Sequence, residues 1–180
     1  MKILFAYRYG NLGGVSAQLL SRLSGFSAQR DVEVHLAFTQ DHGLARELED
    51  TRHVLFEESP DKIATYCKRN KIDVVSVIDT PEVLDAIVAA DCARVVFLEV
   101  HTTYEESLAY LASVPAGVDA VIVPSGYSEG LVRRHLGRPL PIETVRNCVD
   151  TSLFQPIETE APAAPVCLWV GKLDDHKNWR

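Results

Sequence analysis

The feature that most constrains this chain is an alternation. Short apolar runs rich in β-branched residues, at 3–7, 32–38, 53–56, 74–78, 95–100, 120–123 and 142–145, are separated by segments with a helical period. The runs are continuously apolar instead of polar on every second residue, as strands of a parallel sheet covered on both faces must be. Between them, Val15, Leu19, Leu20, Leu23 and Phe26 form one helical stripe, and Val83, Leu84, Ile87 and Val88 another. Tyr104, Leu108 and Leu111 predict a third helix, and Tyr127, Leu131 and Leu136 a fourth. Asp61 is expected to cap the helix carrying Ile63, and Ser125 the helix after Val123. The pattern predicts an α/β, Rossmann-like, doubly wound parallel sheet.

Such sheets bind ligands outside the carboxyl ends of their strands. That rule selects the loops 8–14, 39–42, 79–81, 101–103 and 125–127. In a chain of 180 residues, about 70 % of the unfolded surface is buried by size scaling, enough for one sizeable core. No apolar run approaches the ~20 residues of a membrane span, and MKILFAYRYG lacks the shape of a secretory signal. The expected location is therefore cytoplasmic, with peripheral contact at the inner face of the membrane left open.

A net charge of −7 excludes a general nucleic-acid binder. The basic clusters Lys68, Arg69, Lys71 and Arg133, Arg134, His135, Arg138 close helices, where cations complement the dipole. Four cysteines, Cys67, Cys92, Cys148 and Cys167, lie far apart without metal-ligand spacing and read as reduced thiols; no metal site and no tightly bound cofactor are expected.

Four stretches carry candidate chemistry. In YGNLGGVSAQLL, Gly10, Gly13 and Gly14 fall between the first strand and the first helix, which suits a tight turn or close approach of a phosphate or sugar to free helix amides. The spacing is not the dinucleotide fingerprint, and neither Glu33 nor Asp41 stands where a ribose-binding carboxylate should. In VFLEVHTTYEESLAYL, His101 stands at the ligand-facing end of a central strand, either structural or as a proton acceptor or donor to a sugar hydroxyl. Glu105 and Glu106 beside it stabilise a helix start. The stretch from VIVPSGYSEG to NCVDTSLFQP reads by physics as structure, with Phe154 as an apolar plug. Lastly, in CLWVGKLDDHKNWR, Lys172 and Lys177 follow a short apolar strand, either as ordinary surface lysines or as a pair able to converge on one diphosphate.

Together these motifs resemble, in order, those of glycosyltransferase family four: a Gly-Gly turn, a histidine after a central strand, V-P-S at a helix start, N-C-V-D-T-S-L-F-Q-P, then V-G-K-L with K-N. The resemblance implies a GT-B architecture of two Rossmann-like domains, of which this chain is the amino-terminal half. Residues 1–154 would form the acceptor-side domain, 155–165 a linker, and 166–180 the first strand and loop of the nucleotide-sugar-binding domain.

It implies transfer of a sugar from a nucleotide-diphosphate-sugar donor to a glycan, lipid or other hydroxyl acceptor, with retention and without a metal. Gly13 and Gly14 would bring backbone amides to the diphosphate, His101 would contact the transferred sugar, and Lys172 and Lys177 would neutralise the departing diphosphate. Two positions depart from the family pattern: Lys172 stands where arginine is usual and Cys148 where glycine is usual. With half the cleft missing, the chain alone is expected to be inactive as a transferase. The alternative expectation is a stand-alone Rossmann-like binding module for a phosphorylated small ligand.

Overall fold

The structure, a computed structural model, describes residues 1–27, 29–48, 53–152 and 154–156. The chain divides into two compact units, Met1–Val149 and Asp150–Arg180. The first is built on strands β1 (Lys2–Gly10), β2 (Glu33–Asp41), β3 (Val54–Phe56), β4 (Val74–Ile78), β5 (Val95–Glu99), β6 (Ala120–Val123) and β7 (Ile142–Thr144). Helices α1 (Gly14–Ser27), α2 (Leu44–Glu47), α3 (Pro60–Asn70), α4 (Pro81–Ala90) and α5 (Gly126–His135) alternate with them, and Glu105–Ser113 is a 3-10 helix. All seven strands form one sheet in the order β3-β2-β1-β4-β5-β6-β7, every pair parallel. This is the expected α/β Rossmann-like, doubly wound sheet.

Continuous apolar runs produce it because both faces of the central strands are covered. In β1, Ile3 and Phe5 pack with Leu19, Leu36, Phe38 and Leu44 on the α1 side, while Leu4 and Ala6 pack with Ile63, Ala64, Val83 and Leu84 on the α3–α4 side. Alternation along the strand thus feeds two cores from one run.

Three expectations are corrected. Ser59, not Asp61, occupies the N-cap of α3; Pro60 takes the first helical position and Asp61 the first turn. The segment after His101 is a 3-10 helix because its buried residues Leu108, Leu111 and Val114 recur every third position, the period of that helix. Phe154 is 70 % exposed, so it is no plug. The Ser125 cap is present: its hydroxyl accepts from the Ser128 amide at 3.2 Å.

Of the second unit, the described start is a turn in which the Phe154 amide donates to the Asp150 carbonyl. The predicted strand at 166–170, Lys172 and Lys177 lie outside the described residues.

Candidate functional site

In the sheet, β1 lies between β2 and β4, and the chain winds outward from it in both directions. The crevice at that switch point is where a doubly wound fold offers its ligand site. A cleft of about 640 Å³ opens there. Its walls are Tyr7, Arg8 and Tyr9 from the carboxyl end of β1, Asp79 and Pro81 after β4, His101 and Thr102 after β5, Val15 of α1, and Tyr104, Ser107 and Tyr110 around the 3-10 helix. Of the five loops the sequence selects, 8–14, 79–81 and 101–103 contribute to this lining, while 39–42 and 125–127 do not.

His101 is held from two sides. Its amide donates to both Asp79 carboxylate oxygens, at 3.2 and 3.1 Å, and the Thr102 amide adds a third bond at 3.0 Å. Its ring Nε2 lies 3.2 Å from Glu99 Oε2. A carboxylate only accepts, so Nε2 carries the proton in this pair. Nδ1 has no protein partner among the described residues and is the ring atom available to a ligand.

Glu99 is itself fixed. It ends a strand that is otherwise apolar, is 1 % exposed, and accepts from Arg22 Nη1 at 2.8 and 2.9 Å and from the Ser76 hydroxyl at 2.6 Å. Burial alone would raise its carboxyl; His101, Arg22 and Ser76 outweigh that and hold it down at about 2. The result is a charged carboxylate, anchored on three elements, behind the histidine.

Asp79 shows the opposite balance. Burial pushes its carboxyl up to about 6, against the pull of His101 and the two amides. Its φ of 43° places a non-glycine residue in the left-handed region, a strained conformation that turns the carboxylate under the 101–102 backbone. Nearby, the Tyr110 hydroxyl is buried with no hydrogen-bond partner among the described residues. Burial and the Asp79 charge raise that phenol. Across the cleft Arg8 donates to both oxygens of Glu82, at 2.6 and 2.7 Å, which leaves its guanidinium tethered but one-third exposed at the rim.

The glycine turn lies just behind this wall. Val15 lines the cleft, while Gly13 and Gly14 precede it outside the lining. Helix α1 begins at Gly14 with no acidic residue in its first turn, so its leading amides keep their partial positive charge. A Cβ at Gly14 would meet nothing within 4 Å, so the fold itself does not require glycine there. At Gly10 it would come within 2.8 Å of the Phe56 ring of β3 and 3.0 Å of the Gln40 carbonyl of β2; close packing at the ends of these strands explains that one.

Cys148 does not adopt positive φ, so the replacement of glycine needs no strained backbone there. The Gln18 side chain of α1 clamps both of its backbone groups, each at 3.0 Å.

The sequence picked out His101 as a residue and Arg8 and Asp79 only as members of the ligand-facing loops 8–14 and 79–81, and it missed Glu99, Arg22 and Tyr110. The only signal for Glu99 was a lone acid closing an apolar strand directly before the histidine.

No protein-family model matches the chain, and no curated protein matches it in sequence. Among solved structures, the chain is similar to HepE of Anabaena, determined in complex with UDP and glucose. The TM-score is 0.66 at 18 % identity, over 85 % of this chain but only 46 % of that one. The chain therefore spans about half the length of the structure whose fold it shares.

Proposed function

We propose that this chain is the amino-terminal, acceptor-side half of a retaining glycosyltransferase that takes a nucleotide-diphosphate-sugar as donor. The observation that carries the reading is His101, locked by Glu99 and Asp79 at the mouth of the switch-point cleft. It is supported by a fold shared with about half of a protein whose structure holds UDP and glucose.

Residues 1–154 are the acceptor-side domain, 155–165 the linker, and 166–180 the opening strand and loop of the nucleotide-sugar domain. Nδ1 of His101 receives a hydroxyl of the transferred sugar. The α1 amides from Gly14 approach the donor diphosphate, and Lys172 and Lys177 neutralise the charge that develops there as the glycosidic bond breaks. Each preorganised donor of this kind is worth on the order of 3 kcal/mol, about a hundredfold or more in rate.

The reading divides the site between two domains, so the 180-residue chain is expected to release no nucleotide diphosphate from any nucleotide sugar offered with a hydroxyl acceptor. Turnover by this chain alone would overturn the divided site and favour a self-contained module.

A further inference from the structure

A second cluster lies at the other ends of the strands. In the run E-V-H, Glu33 and His35 are two residues apart on β2 and therefore share one face of the sheet. It is the α3 face, because Ala37, two further on, packs in the core that α3 and α4 build. The register pairs Leu36 with Val54, so His53, immediately before Val54, arrives beside His35.

The two imidazoles stand 4.4 Å apart between centroids. His53 adopts a left-handed φ of 65°, and its carbonyl accepts from the Leu36 amide at 2.9 Å, which fixes the ring's position against β2. The His35 side chain has no solvent exposure. Its Nδ1 is 2.8 Å from the Tyr66 hydroxyl of α3, and its Nε2 is 2.9 Å from Glu33 Oε1. His53 Nε2 is 3.5 Å from the same oxygen. All three donor atoms lie within 4.8 Å of one another.

Those separations match a metal's coordination shell. Bonds of about 2.0–2.1 Å in tetrahedral geometry put neighbouring ligand atoms roughly 3.3 Å apart, between the two distances measured here. We propose that Glu33, His35 and His53 form a three-ligand site for a divalent transition metal of the zinc class. Two imidazoles and a carboxylate suit that class, and a water completes the set.

Tyr66 supplies the orienting contact from behind. When its hydroxyl accepts from Nδ1–H, the Nε2 lone pair of His35 is turned toward the metal position. Lys2 competes for the same place: its ammonium is 3.3 Å from Glu33 Oε1, on a side chain 37 % exposed that is free to swing into solvent. A bound ion would join β2 to β3, a three-residue strand at the edge of the sheet with one strand neighbour.

The test uses the tag-free chain in a Cys148→Ser, Cys167→Ser background, which removes the exposed thiol among the described residues and the cysteine outside them, after treatment with a chelator. Zinc chloride is titrated by calorimetry and thermal unfolding, and cobalt chloride by its visible absorption. Saturable one-to-one binding with a rise in Tm is expected, and His53→Gln should lose both while keeping the metal-free Tm. Tyr66→Phe should weaken binding by roughly 10- to 100-fold, and Lys2→Met should tighten it.

If zinc uptake by the parent equals that of His53→Gln, the cluster is a hydrogen-bonded Lys–Glu–His chain and the proposal fails. Weaker binding in Lys2→Met would also overturn it, because the lysine would then be supporting the ion instead of competing with it.

Discussion

Glu99 is a charged residue almost fully removed from water, and it stays charged because Arg22, Ser76 and His101 surround it. Its folded pKa, about 2, lies below the ordinary 4.5. A depressed carboxylate stabilises the fold in full above pH 4.5, and that contribution drains away as the pH falls from there toward 2. The shift corresponds to on the order of 3 kcal/mol. Urea unfolding followed from pH 7 to pH 2 should show this acid limb, and Glu99→Gln should flatten it. Asp79 acts with the reverse sign, since its raised carboxyl makes stability fall as the pH climbs from about 4 to about 6.

Two glycines separate fold from function at the same scale. A Cβ on Gly137 would sit 1.9 Å from the Ala112 carbonyl oxygen, a backbone atom that cannot rotate away. Gly137→Ala should therefore cost about 3 kcal/mol, the upper end of overpacking, read as a lowered denaturation midpoint. Gly14→Ala has open space around it and should change stability by less than about 0.5 kcal/mol. On the proposed function it should nonetheless weaken donor use by the complete enzyme, because the methyl group stands where the diphosphate approaches.

Among the elements, the strands were legible because a parallel sheet covered on both faces writes itself as uninterrupted Val, Ile and Leu. All seven fall where those runs are, with ends displaced by a few residues; β1 extends to Gly10 past polar Arg8 because pairing with β2 continues to Asp41. Helix α2 has four residues, too few for a period, and escaped notice. The 3-10 helix is hidden in the sequence because Tyr104, Leu108 and Leu111 follow the α spacing of four and three, whereas Tyr104 is exposed and the buried positions are Leu108, Leu111 and Val114.

The site was only half legible. His101 announces itself at a strand end, but its partner Glu99 gains meaning from Arg22, 77 residues away on α1. Glu33 and His53 are likewise joined only by strand register, which no local spacing encodes. At the centre of the sheet, Leu98 of β5 is fully buried between β4 and β6. Leu98→Ala should destabilise the chain by about 2–5 kcal/mol in equilibrium unfolding.

On the scale of the molecule, one sheet places two clusters of histidine and carboxylate at opposite strand ends: His101 with Glu99 and Asp79 at the switch-point cleft, and His35 with His53 and Glu33 near the amino ends of β2 and β3. No helix among the described residues is long and apolar enough to cross a membrane. The net charge is −7; on the proposed function, the tethered Arg8 and the α1 amides are the local features that favour an anionic donor at the cleft.

The measurement closest to the central claim is release of nucleotide diphosphate by a polypeptide that joins this chain to the second domain the proposed function requires, compared with its His101→Ala variant at matched folding by circular dichroism. The proposed function predicts turnover in the parent and a loss of about a hundredfold or more in the variant. Equal turnover in both would mean that the cleft at the switch point is not where the sugar is transferred.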